Sequence, residues 1–201
     1  MPDIAIMILA AGGSTRMGEP KQLLAYRGRS LIRHAAETAV ASGCRPAIVV
    51  LGAHADRLAA EVSGLAVSVA INERWASGIG SSIRCGIEHL MAVTPTVEAV
   101  VITLCDQPLV SAGILRHLID AHQSSGKPIC ASSYRGTLGP PVLVSRRFFP
   151  QLLALPDDQG AKRLWVDQPE QVCEVPCEPA AEDIDTPEDY RRVCGGGNAE
   201  R

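Results

Sequence analysis

A chain of 201 residues with 46% hydrophobic content is long enough to bury a core within one domain. Its net charge of −3 offers no global attraction to nucleic acid or an anionic membrane, so an anionic ligand must be held by a local cluster. No run of 18 or more apolar residues occurs, so no membrane-spanning helix is expected.

The first apolar run, Ile4–Leu9, follows an N-terminus without a basic lead or a small-residue cleavage site. It reads as a core strand and not as a secretion signal. A long glycine-containing loop comes next, then a helix over 30–42 with Leu31, Ala35 and Thr38/Ala39 on one face and Gly43 at its stop. A strand is expected over Ala47–Leu51, a short helix over 56–62 and a third strand over 66–71. Ile83, Ile87, Leu90 and Met91 mark a helix beginning near Ser81. The run Ala99–Leu104 is apolar on both faces and is expected at the centre of the sheet.

Ser111 can cap a helix whose inner face is Ile114, Leu115, Leu118 and Ile119. Short strands are expected over 129–132 and 142–145, on either side of Gly139-Pro140-Pro141. Helical segments are expected over 147–155 and 160–167, and a last strand over 172–175. Thr186-Pro187-Glu188-Asp189 opens the final helix, with a capping residue, proline at the first helical position and acids in the first turn. Residues 1–194 form a single domain, and the tail 195–201 is expected to be disordered. Strands alternating with helices imply an α/β protein, with a mostly parallel central sheet and helices on both faces.

Cysteines stand at 44, 85, 105, 130, 173, 177 and 194, mostly isolated in apolar segments and never as a CxxC pair. They read as buried reduced thiols of a cytoplasmic protein. His34, His89, His117 and His122 read as helix-surface residues, and no histidine has metal-ligand spacing with another.

Three segments carry the chemistry. In an open parallel sheet a ligand sits beyond the carboxyl ends of the strands. The loop Leu9-Ala10-Ala11-Gly12-Gly13-Ser14-Thr15-Arg16-Met17-Gly18 therefore lies where glycine backbone amides can approach phosphates, with Arg16 and Lys21 supplying charge. A structural turn with surface basics is the rival reading. The dinucleotide spacing GxGxxG fails here, and so does the Walker pattern, so neither an oxidoreductase nor a P-loop reading finds its fingerprint. Asp106, in Leu104-Cys105-Asp106-Gln107-Pro108, ends the central strand beside that loop, where a hard cation takes one or two carboxylates plus phosphate oxygens. Its rival role is capping the next turn. In Glu182-Asp183-Ile184-Asp185-Thr186-Pro187 either Asp183 or Asp185 can complete a metal site, or serve as a cap for the last helix.

LAAGGSTRMGEPKQLL, CDQP, the stretch from Trp75 to Arg84, and DIDTPEDY together resemble the molybdenum cofactor (molybdopterin) cytidylyltransferases of the MobA-like NTP transferase superfamily. The order and spacing match from Ile4 to about Val193. The resemblance implies a Rossmann-like nucleotidyltransferase fold and Mg²⁺-dependent transfer of CMP from CTP to molybdopterin, with pyrophosphate released. It implies Arg16, Lys21 and Asp106 as catalytic residues. Nucleotide contacts would come from Leu9, Ala10, Ala11, Gly12, Gly13, Lys21, Asn72, Gly80, Ser81 and Asp106. Asp106 and Asp185 would be the metal ligands. Gly139, Pro141, Asp158 and Gly160 fall in acceptor-side stretches, where Gly-Pro-Pro replaces the usual Gly-His-Pro and Gly-Ala-Lys replaces Gly-Ala-Arg. CTP, molybdopterin and a molybdenum hydroxylase apoenzyme are the implied partners. The alternatives are a cytidylyl- or guanylyltransferase acting on another phosphorylated metabolite, and a non-catalytic nucleotide-binding module serving molybdenum enzymes.

Overall fold

The computed structural model describes residues 3–14 and 17–195. Seven strands form one sheet in the order β5-β4-β1-β6-β8-β7-β9. They are β1 (Ile4–Leu9), β4 (Ala47–Leu51), β5 (Ser68–Ile71), β6 (Ala99–Leu104), β7 (Ile129–Tyr134), β8 (Thr137–Ser145) and β9 (Val172–Pro176). A separate two-stranded ribbon joins β2 (Ala25–Tyr26) to β3 (Arg29–Ser30). All neighbouring pairs of the main sheet are parallel except those made by β8, which runs against both β6 and β7.

Period-two alternation sends successive residues of each strand into two cores. Ile4, Ile6 and Ile8 join one cluster, and Ala5, Met7 and Leu9 the other. Helices α1 (Leu31–Ser42) and α4 (Ala112–Ser125) cover the first face, and α3 (Ile79–Val93), α5 (Phe149–Leu153) and α6 (Lys162–Val166) the second. The central strand β6 is buried from Ala99 to Ile102 on both faces, as its uninterrupted apolar sequence requires. Short α2 (Ala55–Glu61) and the terminal α7 (Pro187–Gly195) complete the helices.

Local chemistry sets the boundaries. Ser30 caps α1 by accepting from Arg33 N–H, and Gly43 ends it in the left-handed region at φ 89°. Ser111 caps α4 by accepting from Ile114 N–H. Thr186 and Asp189 exchange hydrogen bonds across the first turn of α7, a reciprocal cap.

Several expectations are corrected. The buried face of α1 is Leu31, Ile32, Ala36, Ala39 and Ser42, which keeps Leu31 and Ala39 of the expected stripe and replaces Ala35 by Ala36. Helix α3 starts at Ile79, two residues before Ser81. Gly139-Pro140-Pro141 lies inside β8, because Arg135 and Gly136 (φ 46° and 70°) make a tight turn that folds β7 back onto one long strand. His34 is half-buried: its ring packs edge-on against Tyr26, and its Nε2 lies 3.0 Å from the Pro108 carbonyl. All seven cysteines are free, but only Cys44, Cys105, Cys130 and Cys177 are buried; Cys85 and Cys173 are half-buried and Cys194 is exposed. Gly195 belongs to α7, and the remainder of the expected tail lies outside the described residues. Among the described residues no helix is long and apolar enough to cross a membrane.

Candidate active site

A cleft of about 360 Å³ opens beyond the carboxyl ends of β1 and β6, which pair directly from Ile4 to Leu9. Its floor and rim include Leu9 through Gly13, Lys21, Gln22, Leu104 and Asp106. The glycine loop is fixed from below. Ala10 N–H donates to the Val50 carbonyl at 2.9 Å, and Ala53 N–H to the Ala11 carbonyl at 3.0 Å.

Gln22, only 2% exposed, does the rest. Its Nε2 donates to the Ala10 and Gly12 carbonyls at 3.1 and 2.7 Å, and its Oε1 accepts from the Ser14 hydroxyl at 3.0 Å. Ser14 in turn accepts from Lys21 N–H at 3.0 Å. One side chain thus holds three points of the loop, at Ala10, Gly12 and Ser14. Gln22→Leu keeps the volume but strands buried carbonyls, so the protein should lose about 2–3 kcal/mol of unfolding free energy. Urea denaturation checks this, and a native midpoint would show that the loop holds its shape without Gln22.

Charge collects at one end of the cleft. Lys21 Nζ donates to Asp106 Oδ2 at 2.6 Å and to Asp185 Oδ1 at 2.7 Å. Asp185 reaches this position because Ile184 N–H donates to the Asp106 backbone carbonyl at 2.9 Å, while the Ile184 side chain is fully buried. That bond lays the 183–185 segment beside the end of β6. Gln107 reinforces the junction by donating to the Pro140 and Ala180 carbonyls. Burial pushes the Asp106 carboxyl up, and the Lys21 ammonium opposes that shift. Lys21 itself is pushed up to about 12: burial works against its charge, but the two carboxylates outweigh it.

Asp106 Oδ1 is buried with no hydrogen-bond partner among the described residues. A buried carboxylate oxygen left over, beside a second carboxylate, suits a hard divalent cation. No group of three or more His, Cys, Asp or Glu able to hold a metal occurs among the described residues. A cation bound here would therefore take its other ligands from phosphate and water.

A further wall comes from Trp75, Ala76, Gly78, Ile79 and Ser82. Asn72, Gly80 and Ser81 stand one layer behind it. Asn72 Nδ2 donates to the Ser81 and Ser82 hydroxyls at 2.9 and 3.0 Å, and Ser81 Oγ donates to the Gly78 carbonyl at 2.7 Å. A Cβ on Gly80 would lie 2.0 Å from the Pro156 carbonyl oxygen, and Gly80 N–H donates to the Asp157 carbonyl at 2.8 Å. Asp157 is clamped by Arg74 and Arg84, whose guanidinium groups hold its carboxyl below the usual carboxylate range. This buttress keeps the start of α3 against the cleft.

A second cavity of about 260 Å³ adjoins the first, sharing Leu9, Ile79 and Leu104 with it. Gly139 and Gly160 line it together with Ile83, Ile102 and Trp165. Pro141 is buried in β8, and Asp158 is exposed with its backbone against Gly78. Arg16 lies outside the described residues. Sequence reading quoted Gln22, Trp75 and Arg84 within its motifs but gave them no role. Gln22 stands within the quoted loop motif, but its contacts run to backbone carbonyls that no spacing rule names.

A glycine loop after β1, beside the carboxyl end of the parallel strand β6 and faced by an ammonium that two carboxylates hold, is an arrangement suited to phosphate groups. The chain belongs to the MobA-like NTP transferase domain family, whose profile matches residues 6–172. It is 32% identical over 206 residues to the nicotine blue oxidoreductase of Paenarthrobacter nicotinovorans, covering 96% of this chain and 97% of that one. It is 29% identical over 204 residues to the purine catabolism protein PucB of Bacillus subtilis (strain 168), covering 96% of each. Among solved structures it resembles Rv0371c of Mycobacterium tuberculosis H37Rv, with a TM-score of 0.83, 32% identity, and 96% and 98% of the two chains covered. A second crystal structure of Rv0371c, in complex with manganese, has a TM-score of 0.73 at 30% identity over the same shares.

Proposed function

We propose that this protein transfers CMP from CTP to molybdopterin in a Mg²⁺-dependent reaction, releasing pyrophosphate and forming the molybdopterin cytosine dinucleotide cofactor. The observation that carries the reading is Lys21, held between Asp106 and Asp185 at the rim of the glycine loop. Hydride transfer has no use for such a pair of carboxylates. Nucleotidyl transfer has one, because two carboxylates can hold a divalent cation that offsets the negative charge on phosphate oxygens.

The roles follow from the residues. Ala11, Gly12, Gly13 and Lys21, with Arg16, hold the triphosphate, and Asp106 and Asp185 offer hard oxygen ligands to the cation. When bound, that cation neutralises phosphate charge. The acceptor's phosphate monoester is already largely dianionic at neutral pH. Its oxygen bonds to the α-phosphorus of CTP as the bond to the β-phosphate oxygen breaks, and no general base is required. Positioning and charge neutralisation are the whole of the catalysis.

Ala11, 5% exposed in the cleft floor, places a methyl group near the loop and crowds a purine. With backbone groups beside it hydrogen-bonding a pyrimidine directly, CTP should be preferred over GTP by about 2–4 kcal/mol, the cost of leaving two polar groups of a wrong base unpaired. Pyrophosphate release with CTP, GTP, ATP and UTP at equal concentration, with molybdopterin as acceptor, tests this. A GTP preference would sink the cytidylyl assignment. The apolar second cavity favours another reading of the acceptor alone, a phosphate monoester carrying a largely apolar body. The same assay with such acceptors decides between the two.

A further inference from the structure

We propose that Trp75 is the platform on which the base of the bound nucleoside triphosphate stacks. The proposal rests on the nucleotide-binding reading above and adds a base-contacting residue to that site.

The lining of the cleft combines charged groups, Lys21 and Asp106, with apolar ones, Trp75, Ala76 and Ile79, and the Trp75 ring lies directly beside Gly13 of the loop. A nucleoside triphosphate also combines the two, with anionic phosphates at one end and an aromatic ring at the other. With the phosphates on Gly12, Gly13 and Lys21, the base falls toward Trp75.

The indole is seated and yet uncovered. A Cβ on Gly52 would come within 2.4 Å of the Trp75 Cβ, and one on Gly13 within 3.0 Å of Cζ3. The ring therefore runs from the end of β4 to the phosphate loop, on two residues that leave it room. Its backbone is held on both sides, by Trp75 N–H to the Asn72 carbonyl at 3.3 Å and Gly78 N–H to the Trp75 carbonyl at 3.2 Å. A tryptophan that only filled the gap over these glycines would be covered. Trp75 is 36% exposed, and neighbouring Ile79 43%. A rigid, exposed aromatic surface beside a phosphate loop fits the π-face of a base. Stacking accepts every base, so Trp75 adds affinity for the nucleotide and leaves base selection to other contacts.

Intrinsic fluorescence reads this directly, because the chain has two tryptophans and the other, Trp165, is buried. The native protein and Trp75→Phe and Trp75→Leu variants are titrated with CTP and with inorganic tripolyphosphate, and binding is followed in parallel by calorimetry. CTP should quench the native emission, tripolyphosphate should leave it unchanged, and Trp75→Phe should lose most of the response. Trp75→Leu should weaken CTP binding about 10- to 100-fold while tripolyphosphate binds as before, which also shows that the variant has folded. CTP binding without an emission change, or with native affinity in Trp75→Leu, overturns the platform and leaves the transfer reading standing. Failure of the native protein to bind any of CTP, GTP, ATP or UTP overturns both.

Discussion

Asp106→Asn is expected to lower turnover by about 10²–10³-fold, the scale of losing one preorganised electrostatic contact. The substitution keeps the shape of the side chain and removes its charge. The buried Oδ1 loses the charge that draws a hard cation, and Oδ2 loses its charge-assisted bond from Lys21. Folding should be retained, because burial already opposes ionisation of this carboxyl and a neutral amide is cheaper to bury. Steady-state kinetics across a Mg²⁺ or Mn²⁺ titration, beside urea denaturation, separates the two effects. Native turnover at ordinary metal concentration would remove Asp106 from the catalytic machinery.

Lys21→Ala is expected to reduce the rate about 10²-fold or more, with a smaller loss in nucleotide affinity. An ammonium that neutralises charge developing on transferred phosphates acts mainly on the transition state. Lys21→Arg should rescue only in part, since a planar fork cannot occupy the point position between Asp106 and Asp185. Stability should change as well, with a sign that pH reveals. With its own value raised to about 12, Lys21 contributes stability that is fully present below 10.5 and is lost as pH rises through 12. Without it, Asp106 keeps the burial that pushes it up and loses the cation that opposes this. A raised carboxyl stabilises the fold least once ionised, so the variant should weaken as pH climbs from the ordinary value of 3.8 toward neutrality. Denaturation midpoints at acid and neutral pH, and kcat against KM for CTP, test both parts. Unchanged kinetics in Lys21→Ala would return this residue to the surface lysines.

The strands β1, β4 and β6 were legible from the chain to the residue, because strands buried on both faces must be continuous apolar runs. The caps at Ser30, Ser111 and Thr186 were legible for a similar reason: each satisfies backbone donors within four residues of itself. The glycine loop and Asp106 could be placed at one crevice because parallel strands bring their carboxyl ends together. What lies between those local rules needed the tertiary structure. The hairpin at Arg135 and Gly136 reverses β8 and carries Gly139 to the second cavity, although the prolines after it read as a loop. Asp185 stands beside Asp106 because Ile184 is buried and bonds to the end of β6, a contact spanning 78 residues. Alternation alone left Asp183 and Asp185 equivalent. Asn72 and Ser81 spend their polar groups on Ser82, Arg74, Gly78 and each other, and Trp75 reaches the glycine loop across two glycines from separate elements. Such pairings depend on which chain segments burial brings into contact, and that is a property of the packed whole.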